Sequence, residues 1–121
     1  MGLAFIHSRL ANAAFMYFII LFAWGLWQYL RKMELSSSYW GALVIGEILI
    51  LAQGTLGITL FAIGLQPERS AMHILYGIVG ALGIPAVYVF TKGRNDRKVA
   101  LIYAAVAFFC AIIFLRSMVT G

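Results

Sequence analysis

Four long apolar stretches, separated only by short polar turns, constrain this sequence more than any other feature. About 20 apolar residues in a helix cross a bilayer, because a helix rises about 1.5 Å per residue and the hydrocarbon layer is about 30 Å thick. Backbone polar groups in lipid must be satisfied within the segment itself, which favours helices. The sequence therefore predicts four transmembrane helices, at Ala4–Leu30, Tyr39–Gly64, Ala71–Thr91 and Lys98–Met118.

Composition supports the membrane interpretation and argues against others. Apolar residues make up 64% of the 121 residues and charged residues 11%, and the mean hydropathy is +0.96. A soluble domain of this length has too large a surface to hide so much apolar area. The formal net charge of +5 does not indicate nucleic-acid binding, because the basic residues stand in short runs between the apolar stretches. We expect one all-α integral membrane domain over residues 1–121, with the lipid bilayer around it and no nucleic-acid partner.

The connections between the predicted helices are short, so consecutive helices are expected to be antiparallel neighbours in an up-down-up-down bundle. This topology places both termini and the Gln66–Ser70 turn at one face, together with Arg9, Arg69 and Arg116. The opposite face is more basic and carries Arg31, Lys32, Lys92, Arg94, Arg97 and Lys98. By the positive-inside rule the two basic loops are predicted to be cytoplasmic and both termini to lie outside. The membrane is expected to be the bacterial inner membrane.

His7 and His73 are the two histidines of the chain, and each lies near the start of a helix that enters from the face with the termini. The first and third helices run parallel at diagonal corners of such a bundle, so the two side chains can meet across the core. Two opposed imidazoles are the arrangement that ligates a haem iron from both sides. A lone histidine near a helix end is more often an interfacial hydrogen-bonding residue. The matched depth of the pair therefore carries the prediction.

Small residues follow the histidines at helical spacing and are expected to leave the flat space that a porphyrin needs. Gly77, Gly80 and Gly83 follow His73 at offsets of four, seven and ten, which keeps them on nearly the same face. Comparable positions hold Gly54, Gly57 and Gly64 on the second helix, and Ala11 and Ala14 on the first. Glycines alone usually indicate close helix packing, so their coincidence with the histidines is the informative observation.

The three arginines on the face with the termini are the expected partners of the anionic haem propionates. Arg9, Arg69 and Arg116 all reach that face, and a guanidinium can pair bidentately with a carboxylate. Chlorophyll is an alternative pigment, because its magnesium also accepts an axial imidazole. One ligand per pigment would leave the second histidine unexplained, so haem is the preferred interpretation.

Three segments resemble one four-helix half of the haem A synthase family, over about residues 5–80. They are Ile6–Leu10, Leu51–Gly57 and Ala71–Gly77. The resemblance implies a b-type haem held by His7 and His73, with the Gln-x-x-Leu-Gly element, which starts at Gln53, on the helix between them. The family has eight helices in two halves, so a second haem site would need another subunit or a homodimer. Its catalytic glutamate, three positions before the first histidine, is replaced here by Ala4, so the resemblance does not imply oxidation of a haem methyl group.

The main hypothesis is a b-type cytochrome with one iron-containing haem b, acting in electron transport as a subunit of a respiratory or photosynthetic redox complex. It is not expected to be an enzyme alone, and quinone is a candidate partner. Two alternatives remain open: a pigment-free accessory subunit that packs through its glycine faces, and a small transporter that uses Glu47 for proton coupling. Glu47 is expected to be protonated or paired. Gln53 is expected to hydrogen-bond another helix.

Overall fold

The chain forms an all-helical bundle in the computed structural model, which describes residues 2–64 and 70–120, with side chains through Met118. The helices are α1 (Leu3–Leu30), α2 (Ser37–Ala62), α3 (Ser70–Phe90) and α4 (Arg97–Thr120). All four are long and apolar enough to cross a membrane. The four predicted helices are therefore confirmed, and their ends lie within two residues of the predicted positions.

The helices follow the order of the chain around the bundle. α4 packs most extensively on α1 and also on α3, whereas α2 packs on α1 and more sparsely on α3. Within the described residues, α1 does not approach α3 closely and α2 does not approach α4, so these pairs occupy the diagonal corners. This is the predicted up-down-up-down arrangement, and the seam between α2 and α3 is its loosest interface.

The bundle has two ends that differ in character. The basic end contains the connections at residues 31–36 and 91–96, together with the helix turns that flank them. The histidine end contains the starts of α1 and α3 and the ends of α2 and α4. The predicted turn between α2 and α3, including Arg69, lies outside the described residues.

Hydrogen bonds tie the two connections of the basic end together. The buried Gln28 accepts a hydrogen bond from the Ser36 backbone N–H at 3.0 Å. Leu35 N–H donates across to the Asn95 carbonyl of the other connection at 2.9 Å. The Ser36 hydroxyl also caps α2 by accepting from Tyr39 N–H at 3.1 Å. These polar groups are therefore satisfied by the protein itself, whereas Tyr103 Oη, near Thr91, is buried without a partner in the described residues.

Charged side chains at the basic end also have specific partners. Asp96 Oδ1 accepts from Val99 N–H at 3.1 Å, which caps α4, and Asp96 pairs with Arg94 at 2.8 Å. Arg97 Nε donates to the Tyr29 carbonyl at 2.9 Å, and its guanidinium carbon lies 4.2 Å from the centre of the Tyr29 ring. These contacts fasten the end of α1 to the start of α4.

The apolar core occupies the middle of the bundle and its basic half. Its largest fully buried apolar side chains are Tyr39, Tyr103, Phe18, Leu21 and Leu43. α4 lines this core with four buried alanines, Ala100, Ala104, Ala107 and Ala111, and small residues at such spacing let helices approach closely in membranes. Gly25 on α1 fits against this surface: a Cβ there would lie 2.6 Å from Tyr39 Oη and 3.1 Å from Ala104 Cβ.

Large apolar side chains point outward along all four helices. Exposed examples are Met16, Ile58, Val89, Phe90 and Leu115. α3 is the most exposed helix, with 11% of its most apolar window buried against 44% for α4. Such a surface suits lipid and not water, so this is an all-α integral membrane protein.

Candidate functional site

The structure brings the two histidines together across the histidine end. His7 lies on α1 and His73 on α3, and their ring centres are 6.2 Å apart with planes inclined at 59°. Both side chains are partly buried. The pairing arises because α1 and α3 both begin at this end and both histidines lie within five residues of the helix start.

One ring nitrogen of His7 is left without a partner. The Nδ1 atom is buried and forms no hydrogen bond within the part of the chain that the structure describes. Buried polar atoms are almost always satisfied in native proteins, and an exception calls for an explanation such as a bound ligand. The side chain of Gln53 lies near the imidazole, and no hydrogen bond to Nδ1 is found in this part of the chain.

Gln53 fixes the backbone at His7. Its Nε2 donates to the His7 carbonyl at 3.0 Å, and the side chain is only 7% exposed. The prediction that Gln53 hydrogen-bonds another helix is thus confirmed. Carbonyls inside a helix already accept one backbone N–H, so this second bond holds α2 against α1 at the level of the histidine. Gln53 Oε1 is also buried without a partner among the described residues.

The four glycines predicted at the site have different surroundings. A Cβ at Gly57 would lie 3.5 Å from His7 Cε1, so this glycine borders the imidazole directly. A Cβ at Gly54 or Gly77 would meet nothing within 4 Å, and both glycines are exposed at the surface of the bundle. Gly80 differs from the prediction, because a Cβ there would lie 3.4 Å from Ile113 Cγ2 on α4. This buried glycine packs α3 on α4, the usual role of glycine in membrane helices.

Two of the three predicted arginines can be placed. Arg9 is exposed, and its guanidinium carbon lies 6.0 Å from the centre of the Phe5 ring. Two residues correspond to about 200° around a helix, so Arg9 leaves α1 on the side opposite His7, and its pairing with a propionate stays a prediction. Arg116 is exposed near the end of α4, at the histidine end. Arg69 lies outside the described residues.

The glycine pattern alone does not distinguish Gly57 from the other glycines, but its spacing from Gln53 does. Gln53 and Gly57 are four residues apart, and residues at this spacing share one face of a helix. Both contact His7 in the structure, so this face of α2 is the one turned toward α1. The glutamine identifies the face, because a buried amide needs a partner on a neighbouring helix.

Neither the family models nor the curated proteins nor the solved structures contain a match for this chain. The resemblance to one half of haem A synthase therefore stays a prediction. The histidine pair and its surroundings are therefore the main evidence for a function.

Proposed function

We propose that this protein is a membrane b-type cytochrome that binds one haem b between His7 and His73 and transfers electrons. The separation of the rings, 6.2 Å between centres, carries the proposal. A metal–nitrogen bond is about 2 Å long and an imidazole nitrogen lies about 1 Å from its ring centre, so two opposed imidazoles on one metal have centres about 6 Å apart.

The donor set also favours a macrocycle. Within the described residues there is no group of three or more His, Cys, Asp or Glu side chains that could hold a metal ion. Two imidazoles suffice only for a metal whose remaining ligands come from the cofactor, as the porphyrin nitrogens do in haem. Cys110 is the one cysteine of the chain. Covalent attachment through a Cys-x-x-Cys-His motif is therefore ruled out, which leaves a non-covalently held cofactor, and haem b is the one proposed.

Residues around the pair have defined roles in this proposal. His7 and His73 would hold the haem, which would supply a one-electron carrier. Gln53 holds the backbone of His7, and Gly57 keeps room beside its ring. Gly54 and Gly77 are exposed and add no side-chain bulk to the surfaces of α2 and α3 near the pair. Arg116 is at the correct end to pair with a propionate.

The outer surface restricts the partners of this electron carrier. It is apolar along every helix, so electrons are exchanged with other membrane subunits of a respiratory or photosynthetic complex, a second copy of the chain, or a lipid-soluble quinone. Each of these partners can approach within the bilayer plane.

Spectroscopy of the purified protein tests the proposal. We expect a reduced α band and a pyridine haemochrome of haem b in the wild type, and loss of both in His7→Ala and His73→Ala. Arg9→Gln is the matched control, because Arg9 lies on the side of α1 opposite His7, and it retains the pigment. A colourless wild-type protein, or equal haem content in all the variants, contradicts the proposal.

A pigment-free accessory subunit is the alternative, since paired rings about 4.5–7 Å apart also occur as simple aromatic contacts. That function predicts loss of a larger complex, and not of haem, when an outward-facing glycine is enlarged. Gly77 is the position for this test, because a Cβ there meets nothing within 4 Å, whereas Gly80 is occupied by packing on α4.

We propose further that the basic end faces the cytoplasm of a bacterial cell, by the positive-inside rule. Single cysteines at Glu34 or Asn95, both exposed at the basic end, report the orientation in a Cys110→Ala background. A membrane-impermeant maleimide should label them in inverted vesicles and not in intact spheroplasts. The reverse pattern contradicts the orientation.

A further inference from the structure

Glu47 is an acidic residue within a membrane-spanning helix and has no role in the proposed haem site. Of the four acidic residues in the chain, it alone lies within a described helix, at the eleventh position of α2. Its Oε1 is buried without a hydrogen-bond partner in the described residues. An ionised carboxylate is costly in such a place unless something neutralises it.

Glu47 forms no ion pair within the part of the chain that the structure describes. On α1, Phe18 and Leu21 pack at the adjacent Gly46, and on α3, Gly83 lies against Cys110 of α4. The thiol of Cys110 on α4 lies on the side of the bundle near Glu47. The one ion pair among the described residues, Arg94–Asp96, is at the basic end. A proton is therefore the available neutralising charge.

Glu47 and Gly54 lie on nearly the same face of α2, and Gly54 is the nearer of the two to the histidine end. Gly54 follows Glu47 by seven residues, which returns to nearly the same face about 10 Å further along the axis. A Cβ at Gly54 would meet nothing within 4 Å. Gln53, beside it in sequence, is bonded to His7. The carboxyl and the proposed cofactor site are therefore neighbours along one helix.

We infer that the Glu47 carboxyl binds a proton when an electron is added at the histidine end, and releases it on oxidation. This inference rests on the proposed haem site. Reduction by a membrane electron donor adds one electron, and one proton from the aqueous phase forms one O–H bond on the carboxylate. Charges about 10 Å apart in a weakly polarisable interior interact strongly, so each event favours the other, and by linkage the coupling is reciprocal.

The first test measures the midpoint potential of the haem against pH by dithionite titration. In the wild type the potential should fall as pH rises through the titration range of Glu47, because uptake of a proton accompanies the electron. Glu47→Gln should give a potential independent of pH over that range, and Glu47→Asp should restore the dependence. Glu34→Gln, which removes an exposed carboxyl near the basic end, should behave like the wild type.

The second measurement does not depend on the potential. A hydrophobic carbodiimide adds to a protonated carboxyl within the membrane, and mass spectrometry locates the adduct. Labelling of Glu47 should increase severalfold when the protein is reduced at constant pH. Equal labelling in both redox states, or a pH-dependent potential in Glu47→Gln equal to that of the wild type, overturns the inference alone. Absence of haem from the wild type overturns the proposed function instead.

Discussion

The two ends of this bundle are built in opposite ways. At the basic end a buried amide, two helix caps and a stacked arginine all find partners within the protein. At the histidine end His7 Nδ1 and Gln53 Oε1 are buried without partners among the described residues. The first ten residues of α3 include no fully buried side chain. The histidine end therefore carries two buried polar atoms without partners where packing is sparse, whereas the basic end carries one, Tyr103 Oη near Thr91, within a network of satisfied contacts.

The two ends are expected to contribute differently to the stability of the fold. Satisfied hydrogen bonds and tight packing stabilise a fold, whereas a buried polar atom without a partner costs about 1–3 kcal/mol. Natural proteins keep such atoms where they serve binding or catalysis. The contrast predicts that substitutions at the basic end change stability, and that equivalent substitutions at the histidine end change cofactor binding.

The largest expected effect concerns haem content. Gly57→Leu places a branched side chain against the His7 ring, because even a Cβ there lies 3.5 Å from Cε1. We expect haem content to fall more than about tenfold, since an axial ligand displaced by an ångström no longer reaches the metal. Gly41→Leu is the matched control on the same helix, because a Cβ at Gly41 meets nothing within 4 Å. Equal haem in the two variants would contradict the site.

The next largest expected effect is on the free energy of unfolding, for a glycine-to-alanine substitution toward each end of the bundle. Gly25→Ala brings a methyl group to 2.6 Å from Tyr39 Oη, whose hydroxyl donates to the Leu21 carbonyl. This overpacking should cost about 3 kcal/mol in the free energy of unfolding. Gly54→Ala enters open space and should change stability by less than about 0.5 kcal/mol. Unfolding in mixed detergent micelles measures the stability loss of each variant, and similar losses would contradict the proposed difference between the ends.

Two buried glutamines provide a smaller contrast. Gln28→Ala removes the acceptor of Ser36 N–H, a donor outside any helix, and should cost about 2 kcal/mol because that group is left unsatisfied. Gln53→Ala removes a bond to the His7 carbonyl, which still accepts within α1, and should cost about 1 kcal/mol. The same unfolding measurement decides the order. A larger loss for Gln53→Ala would show that the histidine end is the more tightly built one.

The smallest effect tests the cap of α2. Ser36→Ala removes the oxygen that accepts from Tyr39 N–H at 3.1 Å, and should cost about 1 kcal/mol. Ser38→Ala, two positions further and exposed, should change stability by less than about 0.5 kcal/mol. Helix content by circular dichroism during unfolding distinguishes them.

Much of the fold could be predicted from the sequence, because the ability to cross a bilayer depends on contiguous residues. Stretches of about 20 apolar residues must be helical wherever they stand, and the ends of α1 to α4 depart from the predicted positions by no more than two residues. The diagonal placement of α1 and α3 followed from the short connections alone. Gln53 was predicted to bond another helix for the same kind of reason, since a buried amide requires a partner wherever it lies.

The surroundings of the candidate site could be predicted only in part from the sequence, as the glycines and Arg9 illustrate. Helical spacing puts Gly77 and Gly80 on nearly the same face, yet one borders open space and the other is filled by Ile113 of α4. Spacing along one helix cannot say how far its neighbours stand away at each level. Arg9 lies close to the level of His7 but leaves α1 on the other side. Depth depends on position in the sequence, whereas direction depends on how α1 is rotated against α2 and α4.

The sequence by itself determined that this protein is a bundle of four membrane-spanning helices with two histidines at one level, because hydropathy, helix length and loop length are properties of contiguous residues. Only the tertiary structure decided that the two imidazoles lie 6.2 Å apart, that Gly57 borders one of them and that Glu47 Oε1 is buried without a partner in the described residues. Those facts depend on the rotation and spacing of helices, which are set by packing between residues distant in the chain.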